Sequence, residues 1–143
     1  VREFYQPEDP TAAAAIAAIG EDLEIFDDWM DRFRYIIELG RKLAPFPDEW
    51  KDKAHEVEGC QSQVWMAMEE QNGKLYFTGL SDAPIVFGLI ALVLRVYSGR
   101  DRAEILATSP QFLKDLGLIT ALTANRGNGV AAMVERIQAM AGK

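Results

Sequence analysis

One stretch limits the fold of this chain more than any other. Ile85 to Gly99, IVFGLIALVLRVYSG, is a run of helical length that is apolar nearly all the way round. A helix without a polar face has no side to offer water, so the rest of the domain must enclose it. Ser81 or Asp82 can cap it, Pro84 is tolerated in its first turn, and Gly99 marks its end. The longest segment free of charged and strongly polar residues, Ala83 to Leu94, falls well short of the roughly 20 residues that span a bilayer. This is therefore the buried centre of a domain and not a membrane span. With 143 residues, 49% of them apolar, the chain can build one such core, and a single domain over residues 1–143 is expected.

The remaining segments must wrap that helix. Residues 1–10 hold three acidic residues and two prolines without apolar periodicity and read as a loose arm. Thr11 is placed to cap an alanine-rich helix ending near Gly20. From Glu21 a better amphipathic helix follows through Leu23, Phe26, Met30, Phe33, Ile37 and Leu43, and the prolines of APFPDEW stop it. The period then changes. Three antiparallel strands are expected near 54–58, 63–70 and 74–80, with Asn72-Gly73 as the tight turn of the second hairpin and Gly59 to Ser62 as the turn of the first. Short helices are expected near 101–107 and 109–116. Thr123 or Asn125 opens a last one, in which Val130, Met133, Val134, Ile137 and Met140 or Ala141 form the apolar stripe and Glu135, Arg136 and Gln138 face water. The class is α+β, a small three-stranded antiparallel sheet packed against several helices.

Charge and cysteine usage exclude several function classes. A formal charge of −7 and a pI near 4.7 oppose binding to nucleic acid or anionic membrane, which depends on clustered Lys and Arg. The one cysteine, Cys60, cannot form an internal disulfide, which points to a reducing compartment. The opening VREFYQPEDPT has no basic segment followed by an apolar one, as a signal peptide would need, so a cytoplasmic location is expected, and a trimmed terminus is compatible with it.

Cys60 stands in GCQSQVW, residues 59–65, among small polar neighbours that supply no local apolar wall. That setting favours a thiol reachable from outside over one packed as a small hydrophobe. One Cys and one His are too few for a closed zinc site within the chain, and no metal or other cofactor is expected. A Cys-X-X-Cys oxidoreductase would need a second cysteine. A thiol hydrolase would have to use His55, which reads as a surface histidine at a strand edge. What is left is sulfur exchange with another protein.

Three blocks carry a resemblance to the SufE family of sulfur acceptors, which includes the CsdE proteins. GCQSQVW at 59–65 resembles the family's cysteine loop, and SDAPIVFGLIALVLRVYSG at 81–99 resembles the start of its central helix. NRGNGVAAMVERIQAM at 125–140 is similar to the Arg-X-Asn-Gly opening of its last helix. The resemblance covers about residues 20 to 142, departing from the family form where TANRGNG replaces Ser-Pro-Ser-Arg-X-Asn-Gly. It implies a SufE- and IscU-like α+β fold, and a protein that takes persulfide sulfur from a cysteine desulfurase of the SufS or CsdA kind. It also implies stimulation of that enzyme and delivery of sulfur to iron–sulfur scaffold proteins. Such a protein is an accessory carrier and not a free-standing enzyme, and a homodimer is compatible with it.

Cys60 falls on the family's sulfur-accepting position. Gly59, Gln61, Ser62 and Gln63 would shape the loop or touch the donor. Asp82 is either a helix cap or a functional group, and Arg126 either pairs with a carboxylate or faces the cysteine loop. Asn128 and Gly129 complete the third block, where Gly127 and Gly129 suggest close backbone packing. Trp65 reads as an apolar anchor beside the loop. A different class of function, non-covalent docking regulation of a desulfurase or scaffold with Cys60 incidental, is the alternative.

Overall fold

The computed structural model describes residues 4–58, 62–118 and 124–143, with side chains described from Val130 onward in the last stretch. In chain order the elements are α1 (Ala12–Glu24), α2 (Trp29–Arg41), a 3-10 turn (Asp48–Trp50), β1 (Val64–Gln71), β2 (Lys74–Ser81), α3 (Pro84–Tyr97), β3 (Arg100–Asp101), α4 (Arg102–Ala107), α5 (Gln111–Asp115) and α6 (Ala124–Ala141). The three strands form one antiparallel sheet in the order β1-β2-β3. The class is α+β, as the sequence implies.

The apolar run becomes α3, and only Pro84, Phe87 and Arg95 escape full burial along it. Helix α2 crosses it at glycines from both sides. A Cβ on Gly88 would lie 2.1 Å from the Ile36 carbonyl oxygen, and one on Gly40 would lie 2.8 Å from the Gly88 nitrogen. Backbone therefore meets backbone at this crossing, which no larger residue permits. On its other flanks α3 packs against β2, α1 and α6.

Helix α1 runs four residues past the expected end. Thr11 caps it, its Oγ1 accepting from the Ala14 N–H at 3.0 Å. The buried positions Ala12, Ala15, Ile19 and Leu23 keep helical spacing across Gly20, so continuing costs only about 1 kcal/mol at the glycine and retains the stripe. The break falls instead at Asp28, whose carboxylate accepts from the Asp31 N–H and opens α2. With the phase so fixed, Ile36 and Gly40 are the buried residues of α2, and Met30 is 63% exposed.

The hairpin of β1 and β2 turns at Asn72 (φ 54°) and Gly73 (φ 78°), both in the left-handed region that such a two-residue turn requires. The expected strand at 54–58 is not one. Residues 53–55 form a turn, held by Asp52, which accepts the His55 N–H at 3.0 Å. The segment pairs with β1 only through the isolated bridge Glu56–Trp65. The third strand is β3, which follows α3 and pairs with the first residues of β2.

Residues 4–9 are not loose. The Tyr5 N–H donates to the Phe77 carbonyl at 2.8 Å, the Ser98 hydroxyl donates to the Tyr5 carbonyl at 2.6 Å, and Arg100 donates to the Asp9 carbonyl at 2.8 Å. The Asp9 carboxylate accepts from the Arg95 guanidinium at 2.9 Å, and this partner holds the guanidinium above its ordinary pKa. Phe4 closes a second apolar cluster with Phe46, Ala67, Trp50, Trp65, Tyr76 and Leu80 on the sheet face turned away from the main core. Trp65 is thus a half-buried anchor. On the opposite face Met66, Leu75 and Phe77 join α3 in the main core.

Helix α6 buries Val130, Met133, Val134, Ile137 and Ala141. Glu135 faces water, but Arg136 and Gln138 are half-buried. Gln138 donates to the Ile105 and Thr108 carbonyls, and Arg136 bonds the 53–58 segment, a contact that bears on the site.

Candidate functional site

The cysteine loop leaves and rejoins the fold at a narrow stem. On the incoming side the His55 carbonyl accepts from the Met66 N–H at 2.8 Å, and the Val57 N–H donates to the Val64 carbonyl at 2.8 Å. This bridge leaves residues 58–63 between the two sides of the stem. Gly59, Cys60 and Gln61 lie outside the described residues. Ser62 is half-buried and Gln63 exposed.

Each end of the stem is held by a side chain. On the outgoing side Ser81, at the end of β2, donates its hydroxyl to the Gln63 carbonyl at 2.8 Å and accepts from the Ala83 N–H at 3.2 Å. On the incoming side Arg136 reaches from α6, with Nη1 donating to the Glu56 carbonyl at 2.8 Å and Nη2 to the Ala54 carbonyl at 2.9 Å. His55, through its carbonyl, and Val57, through its N–H, thus serve β1, while the Ala54 and Glu56 carbonyls serve α6. An open groove of about 380 Å³ runs between this segment and α6, lined by Lys53, Glu58, Ala132, Glu135 and Ala139 among others.

The other expected site residues fall around this stem to different degrees. Asp82 is exposed one residue beyond Ser81 and is not the cap of α3; Ala83 occupies that position and no side chain caps the helix. Arg126, Asn128 and Gly129 belong to the first turns of α6, and their side chains lie outside the described residues. His55 is tied elsewhere: its Nδ1 lies 2.7 Å from the Asp52 carboxylate and its ring stacks on Trp50. The His55 hydrogen bond holds the Asp52 carboxyl below its usual range. Among the described residues no group of three or more His, Cys, Asp or Glu is placed to hold a metal ion.

Sequence reasoning gave Ser81 only a capping role and sent Arg136 to solvent. A signal for Arg136 was present: Ala132 and Ala139, at helical spacing on either side of it, clear a lane through which another segment can approach.

Comparison with known proteins places the chain in a family. The family model named SufE, an Fe-S metabolism associated domain, matches residues 17–141. The chain belongs to the SufE family. A sulfur acceptor protein of this family's kind, CsdE of Escherichia coli, is 42% identical over 111 residues, covering 76% of each chain. An uncharacterised SufE-like protein of Rhizobium etli is 40% identical over 130 residues, covering 87% of this chain and 88% of its own. In fold, the solution structure of a hypothetical protein from Thermus thermophilus matches with a TM-score of 0.74 at 22% identity, over 90% of this chain and 93% of that one. The SufE match spans every element from within α1 to the end of α6, including both stem anchors. Among the described residues no helix of this SufE chain is long and apolar enough to cross a membrane.

Proposed function

We propose that this SufE-family chain is a sulfur acceptor that takes persulfide sulfur onto Cys60 from a cysteine desulfurase, stimulates that enzyme by removing its product, and passes the sulfur toward iron–sulfur assembly. The observation that carries the reading is the 42% identity to the sulfur acceptor CsdE across three quarters of both chains. The anchored stem around the chain's one thiol supports it.

The chemistry is thiol exchange. The Cys60 thiolate attacks the outer sulfur of the donor's Cys–S–SH, so a sulfur–sulfur bond forms at Cys60 while the one to the donor breaks. The electron pair leaves on the donor thiolate, and no external oxidant or reductant is consumed. Such a step needs thiolate and access but no full catalytic set within the acceptor. His55, held by Asp52 and Trp50, is not called on as a base. The protein acts as an accessory carrier in one domain, in a reducing cytoplasm where the thiol stays available. Gln61, Ser62, Gln63 and the exposed Asp82 are its nearest candidates for contact with the donor. Gly59 is a further candidate beside Cys60 in sequence, and Arg126, Asn128 and Gly129 are the candidates at the start of α6.

Incubation with a cysteine desulfurase and free cysteine, followed by intact mass, tests the reading. The expected result is gain of a reductant-labile sulfur atom, absent in Cys60→Ser. A wild-type chain that binds and stimulates the desulfurase without gaining sulfur, with Cys60→Ser equally active, would instead establish a docking regulator.

A further inference from the structure

We propose that Arg136, with Ser81 opposite it, is a positioning residue for sulfur transfer: the two side chains clamp the ends of the cysteine loop so that Cys60 is presented from a fixed stem. This rests on the sulfur-acceptor reading above and names residues it does not require.

The stem has little regular secondary structure of its own. Residues 53–58 form no strand and join β1 through one bridge. On their outer edge the Ala54 and Glu56 carbonyls accept from Arg136. An arginine suits the task because its planar guanidinium offers several donors in a fixed fork, which fixes direction as well as distance. Bonds from an ionised donor are also stronger than neutral ones. Arg136 stands on α6 one residue before the fully buried Ile137 and three after the buried Met133, so the clamp is grounded in the main core. On the outgoing side the buried Ser81 holds Gln63 and the cap position of α3 with one hydroxyl. The cysteine loop is thereby tied at one end to the last helix and at the other to the central helix.

Exchange between two sulfurs requires an in-line approach at near contact, and misplacement by about 1 Å can cost on the order of a hundredfold in rate. A clamp acting on the loop's ends should govern the rate within the docked complex and leave docking itself unchanged. Arg136→Gln is therefore expected to lower the limiting rate of sulfur gain at saturating desulfurase about tenfold. The half-saturating desulfurase concentration should stay as in the wild type. Hydrogen exchange at the Val57 and Met66 amides should accelerate, while amides in α3 keep their protection. Arg136→Lys, which restores a cation and part of the bonding, should recover a share of the rate. Ser81→Ala should slow transfer from the other end, which keeps the proposal exposed if Arg136→Gln does not fold.

Unchanged limiting rates in the folded variants would overturn the proposal, as would loss of rate matched by equal loss of protection in α3, which marks a merely structural role. The exchange measurement needs no donor. A wild-type chain that gains no sulfur would sink the acceptor reading by itself, and unaltered stem exchange in Arg136→Gln would sink the clamp by itself.

Discussion

Helix α3 and the 53–58 segment are both fixed in place, by opposite means. In α3, Ile85, Leu89, Leu92, Val93, Val96 and others are removed from water, each contributing about 1.5–3 kcal/mol. The segment at 53–58 buries only Val57. It depends on one strand bridge, the turn held by Asp52, and the two Arg136 bonds. The arm at residues 4–9 sits between these extremes, since Phe4 is buried but Arg95, Ser98 and Arg100 do much of the holding. Burial without direction stabilises the whole molecule at once. Directed polar contacts fix one segment at a time and can be altered one segment at a time.

That contrast can be tested by degrees. The largest effect is expected at Gly88→Ala, where the new methyl group meets the Ile36 carbonyl and forces α2 from α3. Stability should fall by about 3 kcal/mol in urea unfolding, with faster hydrogen exchange throughout the core. A loss confined to α2 would show that α3 is not the common support of the core. Next comes Asp9→Asn, which weakens the half-buried contact with Arg95. About 1.5 kcal/mol is expected, appearing mainly as faster exchange at the Tyr5 amide and earlier proteolytic cleavage of the arm.

Smaller again is an alkaline effect. Burial raises the Tyr97 phenol above its ordinary 10.0, and burial with Glu8 raises Tyr5. The folded state therefore keeps protons that the unfolded state gives up above that value. The contribution of these two tyrosines should be level below pH about 10 and fall as pH rises beyond it. Tyr97→Phe, which also loses the bond to the Thr108 carbonyl, should start less stable and decline less steeply in alkaline denaturation. The smallest effect is expected at Asp52→Asn, whose exposed pairing with His55 is open to solvent. Tm should hardly move, while chemical shifts of His55 and the Trp50 ring change. A large Tm loss there would mean that the stem is more deeply coupled to the core than its exposure indicates.

What could be read in the sequence follows the same division. The centrality of α3, the Asn72-Gly73 hairpin and the stripe of α6 each write themselves as a local pattern, because periodicity and turn chemistry are local. The resemblance to the SufE family implied the α+β fold, which the family match and the structure show. The arm, the membership of the third strand and the role of Gln138 left no local pattern, and Ala132 and Ala139 mark a lane beside Arg136 without naming the segment that fills it. Arg95 meets Asp9, and Arg136 meets Ala54 and Glu56, across distances along the chain that periodicity does not sample. The helix break at Asp28 was missed for a different reason. A glycine in the sequence resembles a stop signal, but at Gly20 the buried stripe on either side of it outweighed that signal.

The glycine crossing of α2 and α3 has a consequence for any search for compensating mutations. A bulky side chain in a core can often be accommodated by trimming the neighbour it strikes. At Gly88 the Ile36 side chain could be trimmed, but the nearest obstacle is the Ile36 carbonyl oxygen, which every amino acid carries. Suppressor selections begun from Gly88→Ala should consequently return reversion to glycine far more often than a change at position 36.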